Sequence, residues 1–160
     1  MSNLPAPPPR ALGIDLGEAR VGVALSDTLG MFAHPRETIK VPANKGAAAD
    51  KAVLARVAEL VRQEKVGVII LGLPRNMDGT EGPAAAKARA FADRLRAETG
   101  CEVKLIDERL TTVAAQKALH ASGRNVKQGR AVIDQVAAQM ILQTFLDAEA
   151  LRREFLPDGI

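Results

Sequence analysis

The chain has 160 residues, a length that fits one domain and falls short of two. Hydrophobic residues make up 47% and charged residues 26%, which argues against a wholly disordered chain, and no apolar run reaches the roughly 18 residues of a membrane span. The net charge of +3 is compatible with a polyanionic partner. The single cysteine, Cys101, excludes an intramolecular disulfide and a cysteine-rich zinc site. It also favours a reducing, cytoplasmic setting.

The first third of the chain predicts three strands and a helix. Ala11–Leu16 and Val21–Ser26 are predicted strands, joined by the hairpin loop Gly17–Arg20. Glu37–Val41 is a weaker third strand. Apolar residues then recur at helical spacing across Ala47–Glu64, which predicts an amphipathic helix.

The middle of the chain predicts a buried strand, a second helix and a further strand. Val66–Leu71 has no polar alternation, which is typical of a strand buried on both faces of a sheet. The loop Leu73–Gly82 is rich in Pro, Asn, Asp and Gly, and Thr80 is the predicted N-cap of a helix over residues 83–98. Glu102–Asp107 is predicted as the last strand.

Two further helices are predicted near the C-terminus. Thr111 or Thr112 would cap a helix that ends at Ala121, a polar loop would span Ser122–Gln128, and a long helix would cover Gly129–Leu151. The element order β-β-β-α-β-α-β-α-α predicts an α/β fold with a mixed five-stranded sheet and helices on both faces. The ribonuclease H-like arrangement is one fold with this order, and periodicity alone does not single it out.

The two ends of the chain differ from its middle. Residues 1–10 hold four of the nine prolines and predict a disordered leader. Helical periodicity is lost after Leu151, which predicts a loose tail over residues 152–160. One domain is therefore expected across residues 11–151.

Several carboxylates lie at positions that make them candidate functional residues. Asp15 lies near the end of the first predicted strand, where burial of a charge is costly, although it could simply accept N–H groups of the glycine loop. Asp107 and Glu108 end the last predicted strand, where sites open in α/β sheets. Glu108 could instead pair with Arg109 or begin the next helix.

Asp134 is the more informative position. The residues three, four, seven and eleven positions after it are all apolar: Ala137, Ala138, Ile141 and Phe145. Asp134 therefore lies on the helix stripe that should face the sheet. A lone buried aspartate is rare unless it is paired or liganded, so a functional role is favoured for Asp134.

Convergence of Asp15, one of the pair Asp107 and Glu108, and Asp134 would predict a metal site. Their mutual repulsion calls for a cation, and oxygen-only ligands select hard ions such as Mg²⁺ or Mn²⁺. The chain has only two His and one Cys, so no zinc alternative is available. Two such ions can activate a water molecule and stabilise the leaving oxygen of a phosphodiester.

Basic residues near these acids are candidate nucleic-acid contacts. The run that precedes Asp134 consists of Arg124, Lys127 and Arg130. This run could hold a phosphate backbone or form a solvated loop. Arg20, in the first hairpin loop, is a further candidate contact or a salt-bridge partner of Glu18 or Asp27. Because aromatic residues are only 2% of the chain, contacts to phosphates and to shape are expected in place of base stacking.

Four motifs make the sequence resemble the YqgF/RuvX family, which is Holliday-junction-resolvase-like and has a ribonuclease H-like fold. These motifs are Gly13–Asp27, Leu71–Pro83, Asp107–Thr112 and Asp134–Ala138. They follow the family's order and cover nearly the whole chain, so together they are highly specific.

The resemblance implies a set of site residues and a substrate. Asp15, Glu108 and Asp134 would be the acidic catalytic set and would bind a divalent metal. The choice of Glu108 over Asp107 follows the resemblance, since strand alternation alone leaves it open. The resemblance further implies a cytoplasmic bacterial nuclease that matures the 5′ end of 16S rRNA, with structured RNA in a small ribosomal subunit precursor as its partner.

Alternative functions stay open at this point. The substrate could be branched DNA, because the chemistry would be the same. The protein could be a non-catalytic ribosome-assembly factor, although the presence of all three acids weighs against this. The first motif also resembles a phosphate loop of actin-like ATPases and sugar kinases, but the chain has room for only one such domain. The number of metal ions and the oligomeric state are likewise open.

Overall fold

A computed structural model of the protein describes residues 8–43, 46–110 and 126–155. The strands in these ranges are β1 (Arg10–Leu16), β2 (Arg20–Ser26), β3 (Ala33–Lys40), β4 (Val66–Leu73) and β5 (Glu102–Asp107). The helices are α1 (Ala47–Glu64), α2 (Pro83–Thr99) and α3 (Val126–Phe155), with a 3₁₀ turn over Glu108–Leu110.

The strands form one mixed sheet in the order β3-β2-β1-β4-β5. β1, β2 and β3 make an antiparallel meander, whereas β1, β4 and β5 run parallel to one another. The carboxyl ends of β1, β4 and β5 therefore meet at one edge of the sheet. The predicted mixed five-stranded sheet is confirmed.

Helices cover both faces of this sheet, as predicted. α1 and α2 contribute residues such as Val57 and Leu95 to a core on one face. α3 packs Ile141 and Leu142 against the other face. β4 supplies both cores by alternation, since Ile69 belongs to the first and Ile70 to the second. Its uninterrupted apolar run thus corresponds to a strand buried on both faces.

Glycines in β1 and β2 allow the backbone of α3 to approach the sheet closely. A Cβ atom on Gly13 would lie 2.7 Å from the carbonyl oxygen of Ala138. A Cβ atom on Gly22 would overlap the carbonyl oxygen of Asp134. The backbone of Asp134 therefore lies directly against the sheet.

Two predictions about local structure were wrong. β3 begins at Ala33, four residues before the predicted start. Pro35 obscured this strand, but β3 is an edge strand, where a residue without an N–H donor is tolerated. The N-cap of α2 is Gly82. Thr80 lies two residues before this N-cap, and its hydroxyl donates to Oδ1 of Asp78 at 2.6 Å.

The ends of α3 also differ from the prediction. The helix begins at Val126, inside the predicted loop, and continues through Arg152 to Phe155, inside the predicted tail. Arg152 pairs with Glu149 one turn earlier at 3.0 Å, and a cation stabilises the C-terminal end of a helix. The predicted helix over residues 111–121 and residues 122–125 of the predicted loop lie outside the described residues. Within the described ranges, no helix is both long and apolar enough to cross a membrane.

Candidate active site

The site lies at the sheet edge where β1, β4 and β5 end. Asp15, the penultimate residue of β1, follows the fully buried Ile14 and pairs in register with Gly22 of β2. Glu108 comes directly after β5, at the start of the 3₁₀ turn. Parallel strands bring these two carboxylates to the same edge, although β4 lies between them.

The side chain of Glu108 spans β4 to reach Asp15. It passes over Gly72, where a Cβ atom would lie 2.5 Å from Oε1 and 2.7 Å from Cγ of Glu108. A residue with a side chain at position 72 would block this path. Sequence reasoning did not assign a role to Gly72. A glycine near the end of an otherwise apolar strand was the available signal, because such a glycine often marks close approach of another group.

Asp15 and Glu108 are hydrogen-bonded to each other, and this pairing depends on a proton. Burial, the hydrogen bond to Glu108, and the charges of Glu108 and Asp134 together raise the pKa of Asp15 to about 9. Asp15 is therefore protonated at neutral pH and can donate to Glu108. Asp134 lies nearby, because Gly22, the register partner of Asp15, packs against the backbone of Asp134.

Asp134 reaches the site from α3, which packs on the same face of the sheet as the side chain of Glu108. Its carboxylate accepts a hydrogen bond from Arg20, whose Nε lies 2.9 Å from Oδ2. The alternative partners predicted for Arg20 were wrong. Asp27 instead accepts the backbone N–H groups of Met31 and Phe32.

Asp107 is turned to a different partner from Glu108. Its carboxylate accepts the guanidinium of Arg109, with Nη2 2.7 Å from Oδ2, and the backbone N–H of the same residue at 2.9 Å. The side-chain hydrogen bond and then the backbone one hold the pKa of Asp107 below its usual range. Glu108, and not Asp107, is thus the neighbour of Asp15.

The donor chemistry at this edge suits a hard divalent cation. Asp15, Glu108 and Asp134 offer only carboxylate oxygens, the ligand type that Mg²⁺ and Mn²⁺ prefer. The pKa of Asp15 is raised first by burial and then by the nearby carboxylates, and a bound cation would favour the charged form of this carboxyl. No three His, Cys, Asp or Glu side chains of the described residues form a ready-made metal cluster, and Asp134 is engaged by Arg20. A cation bound to Asp134 would thus share this carboxylate with the Arg20 guanidinium or displace the guanidinium.

A structured loop borders the carboxylates. It connects β4 to α2 and is closed by the backbone hydrogen bond from Asn76 to Thr80 at 2.9 Å. Arg109 reaches from the end of β5 to the carbonyl oxygen of Met77, while the Met77 side chain is 95% exposed at the loop tip. The loop thus presents an apolar side chain beside the site.

The predicted basic run lies only partly within the described ranges. Arg124 lies outside them. Lys127 and Arg130 belong to α3, and their side chains also lie outside the described part of the chain. Their contact with nucleic acid stays a prediction.

Comparison with known sequences identifies close relatives. The chain matches the model of the RuvX family, described as Holliday junction resolvase, over residues 9–148. A protein of Leifsonia xyli subsp. xyli is 49% identical over 138 residues, 86% of this chain and 85% of that protein. One of Pelotomaculum thermopropionicum is 46% identical over 144 residues, 90% of each chain. Both relatives bear the name "Putative pre-16S rRNA nuclease".

Solved structures share the architecture at low sequence identity. Thermus thermophilus RuvC in complex with a Holliday junction substrate matches 88% of this chain and 95% of its own, with a TM-score of 0.59 and 16% identity. A second structure of Thermus thermophilus RuvC gives a TM-score of 0.55 at 15% identity. Such identities bear on the fold alone, and they confirm the predicted ribonuclease H-like fold.

Proposed function

The chain belongs to the RuvX family, and we propose that it is a divalent-metal-dependent nuclease that hydrolyses phosphodiester bonds in the 5′ region of precursor 16S rRNA. The observation that carries this proposal is the approach of Asp15, Glu108 and Asp134 from three different elements to one edge of the sheet. An ion pair that only stabilises the fold joins opposite charges, whereas this site gathers three carboxylates.

Each of these side chains has a separate task in the proposed reaction. Asp15 and Glu108 supply carboxylate oxygens from the end of the sheet, and Asp134 supplies a further carboxylate from α3. A bound divalent cation, Mg²⁺ or Mn²⁺, would supply positive charge for the negative charge that develops on the phosphodiester oxygens. Arg20 is the candidate contact to the substrate backbone, since a guanidinium matches a phosphate through paired hydrogen bonds.

The substrate class is proposed from the relatives and from composition. Both curated relatives described above carry a pre-16S rRNA nuclease name. The chain has few aromatic residues, so it is suited to contacts with the backbone and poorly suited to base stacking. A site that contacts the RNA backbone discriminates little between base sequences. We therefore place the cleavage event in a small ribosomal subunit precursor in the cytoplasm, where RNA shape and the particle surface would select the cleavage site.

Cleavage of precursor RNA by the purified protein tests this function. We expect slow, promiscuous cleavage of naked oligonucleotides and more specific cleavage of precursor 16S rRNA inside small-subunit particles, both abolished by EDTA. Asp93→Asn on the exposed face of α2 is a matched control for Asp15→Asn, because Asp93 pairs with Arg96 on its own helix, away from the site. Binding of the particle without cleavage, by a folded and metal-loaded protein, would support an assembly factor and overturn the nuclease.

A branched DNA substrate is the second candidate. It is favoured by the family description and by the RuvC neighbour, which was solved with a Holliday junction. Depletion of the protein in cells, followed by mapping of 16S rRNA 5′ ends, separates the two. Normal 5′ ends, together with efficient cleavage of four-way DNA junctions by the pure protein, would favour the resolvase and contradict the rRNA assignment.

A further inference from the structure

We propose that Arg20 and the metal ion compete for Asp134, so that metal binding releases the Arg20 guanidinium to bind a substrate phosphate. The inference rests on the proposed function and deepens it, because it makes metal binding and backbone binding cooperative. In this account Arg20 is a positioning residue while it holds Asp134, and it becomes a substrate contact after release.

The first support is the way charge is distributed among the acids. Asp15 and Glu108 lie against each other where the side chain of Glu108 passes over Gly72. Asp134 is instead compensated by a full positive charge, the guanidinium of Arg20, at 2.9 Å. A divalent cation that used Asp134 as a ligand would face that charge at short range. The guanidinium cannot lose its proton, so a movement of the side chain is the way to relieve this repulsion.

The second support is that the side chain of Arg20 can move while its backbone cannot. Arg20 begins β2, where it pairs in register with Lys40 of β3. Its carbonyl oxygen lies so close to Gly17 that a Cβ atom there would overlap it. The side chain, by contrast, is 33% exposed, and within the described part of the chain its ion pair is with Asp134 alone. Release therefore costs one ion pair and no backbone change.

The third support is the position of Arg20 relative to the site opening. Arg20 follows the exposed hairpin residues Glu18 and Ala19, at the same end of the sheet as Asp15. A guanidinium released from Asp134 at this rim remains within a side-chain length of the carboxylates. An anionic phosphate held there would draw the guanidinium from Asp134, and by reciprocity it would strengthen metal binding.

Titration of the metal-free protein with Mn²⁺ alone, followed calorimetrically, tests the competition without any catalysis. Arg20→Gln removes the competing charge, and we expect it to bind Mn²⁺ about two- to tenfold more tightly than the wild type. Arg20→Lys, which weakens the pairing geometry but keeps the charge, should also bind more tightly, by a smaller factor. Arg94→Gln is the matched control, because it breaks a surface pair with Asp50 on the other face. It should leave Mn²⁺ affinity unchanged.

The opposite result would overturn the inference. If Arg20→Gln and Arg20→Lys, both folded by circular dichroism, bind Mn²⁺ no more tightly than the wild type, Arg20 only orients Asp134. A second readout is RNA binding in EDTA and in Ca²⁺, measured by anisotropy. Ca²⁺ should strengthen RNA binding of the wild type more than that of Arg20→Gln, and an equal gain would also contradict the proposal. Retained cleavage activity in Asp15→Asn would instead overturn the proposed function, so the two failures are distinguishable.

Discussion

Glu108 reaches the neighbourhood of Asp15 only because residue 72 of the intervening strand is a glycine. A Cβ atom on Gly72 would lie 2.5 Å from Oε1 of Glu108 and 2.6 Å from Cδ1 of Ile141. The strand that separates the two carboxylates is thus shaped to let one of them cross it.

Gly72→Ala should therefore damage the site more than the fold. The added methyl group displaces either Glu108 or Ile141, at an overpacking cost of about 1–3 kcal/mol. We expect a large loss of cleavage activity at temperatures where the variant is still folded. Ile141→Val is the control, because it lowers stability by about 0.5–1.5 kcal/mol without touching Glu108. Equal activity losses in the two variants would show that stability alone explains the effect.

Asp15→Asn should have opposite effects on activity and on metal-free stability. The raised pKa means that Asp15 takes up a proton on folding at neutral pH, which asparagine does not require, so melting in EDTA should occur at a higher temperature than for the wild type. Cleavage should fall by about 10²–10³-fold, the usual loss when one element of transition-state stabilisation is removed.

Mg²⁺ provides the internal check on that prediction. It should raise the melting temperature of the wild type and of Asp93→Asn, but much less that of Asp15→Asn. Equal Mg²⁺ stabilisation of all three proteins would exclude Asp15 from the metal site.

The link between β3 and α1 predicts a pH-dependent contribution to stability. Glu37 accepts two hydrogen bonds from Arg56, at 2.7 and 2.9 Å, and these bonds are the main cause of its lowered pKa. A lowered folded-state pKa stabilises the fold above the ordinary pKa of glutamate, and this stabilisation is lost as the pH falls through the folded-state value. Glu37→Gln should thus cost up to ~1 kcal/mol at pH 7. Urea unfolding of the wild type and of Glu37→Gln at pH 7 and pH 3 measures this contribution. If the two proteins differ in free energy of unfolding as much at pH 3 as at pH 7, the prediction is contradicted.

The basic run before Asp134 predicts a specific salt dependence. The residues to neutralise together are Arg124, Lys127 and Arg130. The slope of log affinity against log salt concentration for single-stranded RNA should fall by about 0.7 for each of these side chains that binds a phosphate. A control variant that neutralises the exposed Lys51 and Arg62 of α1 should keep the wild-type slope. If the first variant keeps it as well, the run does not bind the RNA backbone.

Much of this fold follows from the periodicity of the sequence. The strand ends that carry Asp15 and Glu108 were predictable because apolar runs stop there, and the inward stripe of α3 placed Asp134 toward the sheet. β3 was misjudged because Pro35 is unfavourable in a strand unless the strand lies at an edge, and edge position is a property of the assembled sheet.

Contacts between distant residues could not be predicted in the same way. Arg20 and Asp134 are separated by 114 positions, and the sequence offered Glu18 and Asp27 as nearer partners. Only the assembled sheet and helix bring Asp134 within reach. The role of Gly72 likewise depends on which strand lies between β1 and β5, and no local pattern states that order.

The packing of α3 against Gly13 and Gly22 makes the candidate active site sensitive to local unfolding of this helix. Asp134 is carried by the same helix whose backbone rests on Gly13 and Gly22, so partial undocking of α3 would remove one acid while α1, α2 and their core stayed folded. Native-state hydrogen exchange distinguishes such subglobal openings from complete unfolding. Heat inactivation of this protein should accordingly follow amide exposure in α3 and begin before the main calorimetric transition.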